Sequence, residues 1–183
     1  MRVIETPLPG VLVIEPEIYG DQRGFFKESF NAKRYQETAG IELTFVQDNY
    51  SRSRKGVLRG LHFQKTHPQG KLVWVTRGSV FDVAVDIAPK SATFGQWIGF
   101  ELTEDNHRQL WIPPGHAHGF CVLSDIADFL YKCTDYYDPQ DEGGLAWNCP
   151  EVAVQWPIAD PQLSEKDKHY PCLSELIKQS GQK

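Results

Sequence analysis

The sequence has no long hydrophobic run, no glycine-rich phosphate loop and no excess of basic residues, and each absence removes a class of protein. Its apolar stretches are short and punctuated, so no membrane-spanning helix is expected. Neither the P-loop pattern nor GxGxxG occurs, which excludes nucleotide binding by those two routes. Lysine and arginine number 19 against 24 aspartate and glutamate, a formal net charge of -5. That balance argues against a nucleic-acid partner held by bulk electrostatics, while a small anionic ligand senses local charge only and stays open. The four cysteines, Cys121, Cys133, Cys149 and Cys172, lie far apart, without CxxC or zinc-finger spacing. The N-terminal stretch MRVIETPLPGVLVIEPE is broken by Pro7, Pro9 and Pro16 and carries Glu5 and Glu15, so it reads as neither signal peptide nor anchor. Reduced thiols in a cytoplasmic protein are the expectation. The sequon Asn49-Tyr50-Ser51 is then incidental. Internal repeats, low-complexity tracts and linkers are missing too.

What is present is mostly strand. KLVWVTRGSVFDVAVDIA, residues 71–88, reads as two strands. In the second, Phe81, Val83, Val85 and Ile87 take one face and Val80, Asp82, Ala84 and Asp86 the other. Shorter runs of the same kind are VLVIEP, FFKESF, LTFVQDNYS, WIGFELT, QLWIPP, HGFCVLS and ADFLYKC, separated by Gly, Pro, Asn or Asp. About ten strands at this spacing predict an all-β fold, a jelly roll or antiparallel barrel with a few short peripheral helices. One helix is expected over NAKRYQETAG, capped by Asn31 and ended by Gly40. In the polar tail Ser164 and Asp167 are spaced like a capping box. With 183 residues, 40% hydrophobic, the chain can bury one good core. A single domain over 1–183 is expected, with its core about 2–160 and a helical tail about 161–183.

His62 is the first candidate for chemistry. It sits in GVLRGLHFQ, where strict alternation puts Leu58, His62 and Gln64 on one face. It is open to three roles: core filler, metal ligand or proton-transfer base. Metal cupins take two histidines as HxH in one strand, then Glu, then a later histidine. Here Gln64 stands at the second position and Gln69 near the Glu, and a neutral amide is a poor donor to a divalent metal. The later element survives as IPPGHAHGF, with His118. The chain therefore looks like a cupin barrel whose metal site has lost most of its ligands. His116 and His118 share a face, but two imidazoles without a carboxylate make a thin metal site.

Among the cations, Arg59 lies inside the apolar run beside Gly60, and Arg23 is flanked by Gly20 and Gly24. Both suit bidentate contact to phosphate. Alternation puts Arg59 and His62 on opposite faces, so a shared site requires a bulge at Gly60. Lys71 opens a strand and, if aimed inward, suits an oxyanion. Tyr131 falls on the Phe129 face, which points inward, and Tyr137 precedes a turn where an aromatic can stack on a base.

Taken in order, RGLHFQ, QGKLVWV, RGSVFDVAVD, IPPGHAHGF, YKCTDYYDP, the Glu142 turn into LAWN, and LSEKD resemble the dTDP-4-dehydrorhamnose 3,5-epimerases. The resemblance runs from about Arg2 to Asp167, and its specificity lies in the ordered set. It implies a cupin-like homodimer without metal or other cofactor, acting on a dTDP-4-keto-6-deoxyhexose. It also implies His62 as base, Tyr131 as acid, Lys71 beside the enolate oxygen and Asp167 orienting His62. Substrate contacts would come from Arg23, Glu28, Gln47, Asp48, Asn49, Arg59, Lys71, His118, Glu142 and Lys166, with Tyr137 stacked on thymine.

Some positions depart from the family pattern. His116 stands where an aromatic is common, Cys149 replaces an acid in the usual Trp-Asn-Asp-Pro turn, and Trp74 and Thr76 sit where a more basic or aliphatic pattern is expected. Related proteins invert one carbon only, and the motifs do not separate them. Two other classes stay in view: a metal cupin dioxygenase using His62, His116 and His118, and a non-catalytic sugar-nucleotide binder.

Overall fold

The computed structural model describes residues 1–180. One sheet has six strands in the spatial order β1 (Arg2–Glu5), β2 (Leu12–Glu15), β10 (Gln109–Ile112), β7 (Lys71–Arg77), β12 (Ile126–Cys133) and β5 (Gln47–Arg54). The other has five: β13 (Glu142–Gly144), β6 (Leu58–Gln64), β11 (His116–Val122), β8 (Ser79–Asp86) and β9 (Trp97–Thr103). A two-stranded ribbon joins β3 (Tyr19–Asp21) to β4 (Gly24–Phe26). Pairing within these sheets is antiparallel throughout.

The two large sheets face each other. Val13, Val73, Leu110 and Phe129 from the first pack with Val80, Ala84, Leu102 and Phe120 from the second. Their outer faces are covered as well. Tyr35 and Ile41 close over Ile14, Leu72, Trp74 and Trp111. Leu145, Cys149, Val152 and Leu173 close over Leu61, Val83, Val85 and Ala117. Strands buried on both faces read as nearly continuous apolar runs, which is the pattern of VFDVAV. The fold is the expected all-β, cupin-like jelly roll.

The helices are short and peripheral. In α1 (Ala32–Ala39) the Asn31 side chain accepts from the Arg34 amide, and Gly40 ends the helix at φ 65, where only glycine is unstrained. The tail contains a single 3-10 turn, Lys166–Lys168, and α2 (Leu173–Ser180); the last part of the expected 161–183 segment lies outside the described residues. Among the described residues no helix is long and apolar enough to cross a membrane.

Three strand expectations need correction. The run FFKESF contributes only its first residues to β4, because Lys27 to Phe30 leave the ribbon to lead into the α1 cap. The run LTFVQDNYS pairs only from Gln47 onward. Strict alternation across GVLRGLHFQ fails as well. Arg59 pairs with Phe120 and His62 with His118, so three steps on β6 face two on β11. The extra residue at Gly60–Leu61 is a β-bulge, and it brings Arg59 to the cavity that His62 lines.

The bulge depends on glycine. At Gly60 φ is +108, and a Cβ there would lie 2.6 Å from the His118 carbonyl oxygen. Replacing Gly60 by Ala is therefore expected to cost about 2–5 kcal/mol through strain and overpacking. The denaturant midpoint measures this, and a loss below about 1 kcal/mol would show that β6 and β11 separate easily.

Candidate active site

A cavity of about 660 Å³ opens between the sheets, a size suited to a small-molecule ligand. His62 and Gln64 on β6 and His118 on β11 form one wall. Lys71 on β7, Tyr131 and Cys133 on β12, and Gln47 and Asn49 on β5 form the other. Asp167, Lys166 and Ser164 close one side from the C-terminal segment.

His62 Nε2 lies 2.6 Å from Asp167 Oδ1, across a separation of 105 residues. The Ser164 hydroxyl donates to Asp167 Oδ2 at 2.8 Å and accepts from the Asp167 amide at 3.3 Å. Asp167 is thus the imidazole's partner, while the expected capping box is only half formed, since the N-cap of the turn is Glu165 and carries no side-chain cap bond. Burial works to raise its carboxyl, but the His62 hydrogen bond and charge, Ser164 and Lys166 outweigh it and hold it below its usual value. A charged Asp167 accepts the Nε2 proton, which leaves Nδ1 with the lone pair.

A second imidazole–carboxylate pair stands deeper. His118 Nε2 is 2.9 Å from Asp82 Oδ2, and Asp82 is fully buried. Here burial prevails and raises the Asp82 carboxyl despite His118 and Lys71. Lys71 Nζ reaches the His62 carbonyl oxygen at 3.5 Å. Burial lowers its pKa, against the charges of Cys133, Asp82 and Glu142. Tyr131 is pushed upward, first by burial and then by Cys133, so it remains a protonated phenol at neutral pH.

Glu142 joins the rim. It accepts from Lys166, from the Tyr137 hydroxyl at 2.5 Å and from the Tyr170 hydroxyl at 3.1 Å. The Tyr170 ring meets His62 edge-on with centroids 5.7 Å apart. Gly144 makes room for it, since a Cβ there would lie 2.4 Å from that ring. Gln47 donates to Asn49 at 3.0 Å and accepts from the Tyr137 amide at 2.9 Å, so these three are linked in one chain of hydrogen bonds. The Arg59 guanidinium donates to Ser53 at 3.0 Å, on the cavity side.

The structure thus gathers His62, Lys71, Tyr131, Asp167, Gln47, Asn49, Arg59, His118, Tyr137, Glu142 and Lys166 around one cavity. It leaves three candidates off the walls. Arg23 pairs with Asp21 on the exposed ribbon, Glu28 with Arg34 beside α1, and Asp48 with Lys132 on the outer side of β5. Asp82 and Tyr170 were not foreseen. Asp82 was visible as an acid in the middle of an apolar strand, whereas nothing in the local sequence marks Tyr170. Gln64, at the lost metal-ligand position, instead exchanges hydrogen bonds with the Asp138 backbone. His116 turns Nδ1 to the Pro113 carbonyl at 3.1 Å, and burial lowers its pKa. Among the described residues no three His, Cys, Asp or Glu are grouped to hold a metal ion.

Fold and cavity together define a cupin-like barrel with a small-molecule site, and the comparisons identify its family. The family described as dTDP-4-dehydrorhamnose 3,5-epimerase matches residues 5–175. A relative of that name from Salmonella typhimurium is 53% identical over 179 residues, 97% of this chain and 98% of its own. A dTDP-4-dehydrorhamnose 3-epimerase from Streptomyces niveus is 39% identical, over 96% of this chain and 85% of its own. The crystal structure of the Legionella pneumophila dTDP-6-deoxy-D-glucose-3,5-epimerase in complex with dTDP-4-keto-L-rhamnose superposes with a TM-score of 0.92. It is 57% identical and covers 94% of this chain and 93% of that one. The chain belongs to the dTDP-4-dehydrorhamnose 3,5-epimerase family and is an isomerase.

The Glu142 hub has a pH signature. Burial works to raise this carboxyl, but Lys166, Tyr137 and the charge of His62 hold it down at about 2, from an ordinary 4.5. Its contribution to stability is fully present above pH 4.5 and is lost as pH falls through about 2. After discounting for solvent, about 1–2 kcal/mol is at stake. In thermal melts from pH 5 to 2, the gap between wild type and Glu142→Gln should therefore close as the pH falls. A constant gap would show that the hub is not electrostatic.

Proposed function

We propose that the chain inverts carbons 3 and 5 of dTDP-4-dehydro-6-deoxy-D-glucose, giving dTDP-4-dehydro-L-rhamnose for dTDP-rhamnose biosynthesis. The observation that carries this reading is the placement of His62 with its Asp167 partner on one sheet and of Tyr131 with Lys71 on the sheet opposite. Both carbons flank the ketone, so loss of either hydrogen gives an enolate. Inversion needs a base on one face of the sugar ring and an acid on the other.

His62 Nδ1 takes the carbon proton, and Asp167 positions the ring and balances the imidazolium that forms. The enolate oxygen gathers charge toward the Lys71 ammonium, which a partly dry cavity strengthens. Tyr131 returns a proton from the far side; His62 then releases its proton to solvent and Tyr131 regains one, after which the same cycle serves the second carbon. His118, held by Asp82, together with Arg59, Gln47, Asn49, Glu142 and Lys166, binds the substrate. Tyr137 stacks on thymine; by analogy with base–aromatic stacking this is worth about 1–3 kcal/mol. A cytoplasmic location belongs to the same reading.

Homodimerisation completes it. The β3–β4 ribbon exposes Tyr19, Phe25 and Phe26 at 62%, 59% and 69%, and an isolated two-stranded ribbon is marginal in water. Covering it with a second copy is the arrangement that brings Arg23 and Glu28 toward a sugar nucleotide, since neither lines the cavity of its own chain. Light scattering is expected to give twice the chain mass, and a stable monomer at micromolar concentration would remove this element.

The decisive measurement is proton NMR in deuterated water with dTDP-4-dehydro-6-deoxy-D-glucose. Solvent deuterium is expected at carbons 3 and 5. Deuterium at one carbon would mean a single inversion on this scaffold, and none at all would refute the reading. His62→Ala should abolish exchange, with a loss of at least about 10²–10⁴-fold. Tyr131→Phe should retain some exchange while inversion fails. Full activity in both variants would overturn the assigned roles.

A further inference from the structure

We propose that Cys149 and Cys172 form a reversible disulfide staple, closed by exchange with a small-molecule disulfide and reopened by thiols. Neither residue takes part in the proposed chemistry. Cys149 lies in the turn LAWNCP, and Cys172 immediately precedes α2.

The two stretches of backbone are docked side by side. Ala146 donates its amide to the Pro171 carbonyl at 2.9 Å. The Leu173 amide donates to Cys149 Sγ at 3.4 Å. The Ser174 amide and hydroxyl donate to the Glu151 carboxylate, each at 2.7 Å. These contacts fix the turn around Cys149 against the strand of chain around Cys172 on both sides of the two sulfurs. Both side chains belong to one apolar cluster on the outer face of the five-stranded sheet. All four cysteines are free thiols. The other two lie elsewhere, Cys121 within β11 and Cys133 on the cavity wall.

Cys149 is 1% exposed and Cys172 half-buried, so Cys172 meets the reagent first. Its thiolate attacks one sulfur of the small disulfide, whose S–S bond breaks and releases one small thiol. Cys149 gives its proton to solvent and attacks the Cys172 sulfur of the mixed disulfide, expelling the second small thiol. Two protein thiols are oxidised and one small disulfide is reduced. The Cys149 thiol, and then burial, push the Cys172 thiol up to about 11, so exchange is slow at neutral pH and quickens as pH rises.

The closed loop, residues 149–172, contains Asp167 and Tyr170, both in contact with His62. The staple would therefore pin the segment that orients the imidazole. That consequence rests on the proposed function; the staple itself does not.

The full chain is incubated with oxidised glutathione at pH 8.5, alkylated and peptide-mapped. A Cys149–Cys172 cross-link is expected, with a rise in Tm on the order of 5–10 °C. Dithiothreitol should reverse both, and Cys172→Ser should show neither. Cys149→Ser, a second variant in case the first folds poorly, should stop at a glutathione adduct on Cys172 with no rise in Tm. A persistent glutathione adduct on wild-type Cys172 beside an alkylated Cys149 would overturn the proposal. So would a cross-link to Cys121 or Cys133, or both thiols remaining free. Absence of solvent exchange into the sugar by the reduced wild-type chain would sink the proposed function and leave the staple standing.

Discussion

At Gly60 and Gly119 strands β6 and β11 approach so closely that a methyl group on either would lie 2.6 Å from a carbonyl oxygen of the other. This crossing accommodates the extra residue of β6, and the extra residue decides which side chains enter the cavity. Without it, Arg59 would face outward when His62 faces inward. The remaining geometry follows from it: the His62–His118 register, the pairing of Gly144 with His62 and the space that Tyr170 takes over Gly144. The arrangement of the cavity wall is thus set by two residues that have no side chain.

The two imidazole–carboxylate pairs show how one pairing is tuned in opposite directions. Asp82 is sealed inside the second sheet, and desolvation raises its carboxyl. Asp167 is nearly as inaccessible, at 3% exposure, yet hydrogen bonds from His62 and Ser164 with the Lys166 charge win and lower it. Protonation is decided by the balance between desolvation, greatest for the deeper Asp82, and the donors and charges aimed at each carboxylate. A carboxylate held charged beside one histidine and a second pressed toward neutrality beside the other give the cavity two unlike imidazoles.

Much of this was legible in the sequence, and the gaps have physical causes. Period-two patterning and turn residues gave the all-β architecture, and the Asn31 and Gly40 caps located α1. The ordered motifs pointed to the residues that gather at the cavity. Alternation alone misplaced Arg59, because a bulge leaves no mark beyond a glycine that has many other uses. Tyr170 and Asp82 escaped because their importance comes from contacts 108 and 36 residues away. Glu28 and Asp48 were recognised from family pattern alone and Arg23 also from its flanking glycines, and a single chain holds all three outside its own cavity. A local pattern reports an element, whereas a contact between distant elements is a property of the whole fold.

The 105 residues between His62 and Asp167 also have a meaning in time. At about 5–20 residues per second of synthesis, the strand bearing the imidazole waits roughly 5–20 s for its carboxylate to be made. Until the C-terminal segment emerges and docks, the jelly roll can form around an imidazole with no fixed tautomer. A chain on which this segment has not yet docked holds the imidazole without its carboxylate partner. In such a molecule the imidazole–carboxylate pair is completed late, and its presence reports that synthesis has gone at least that far.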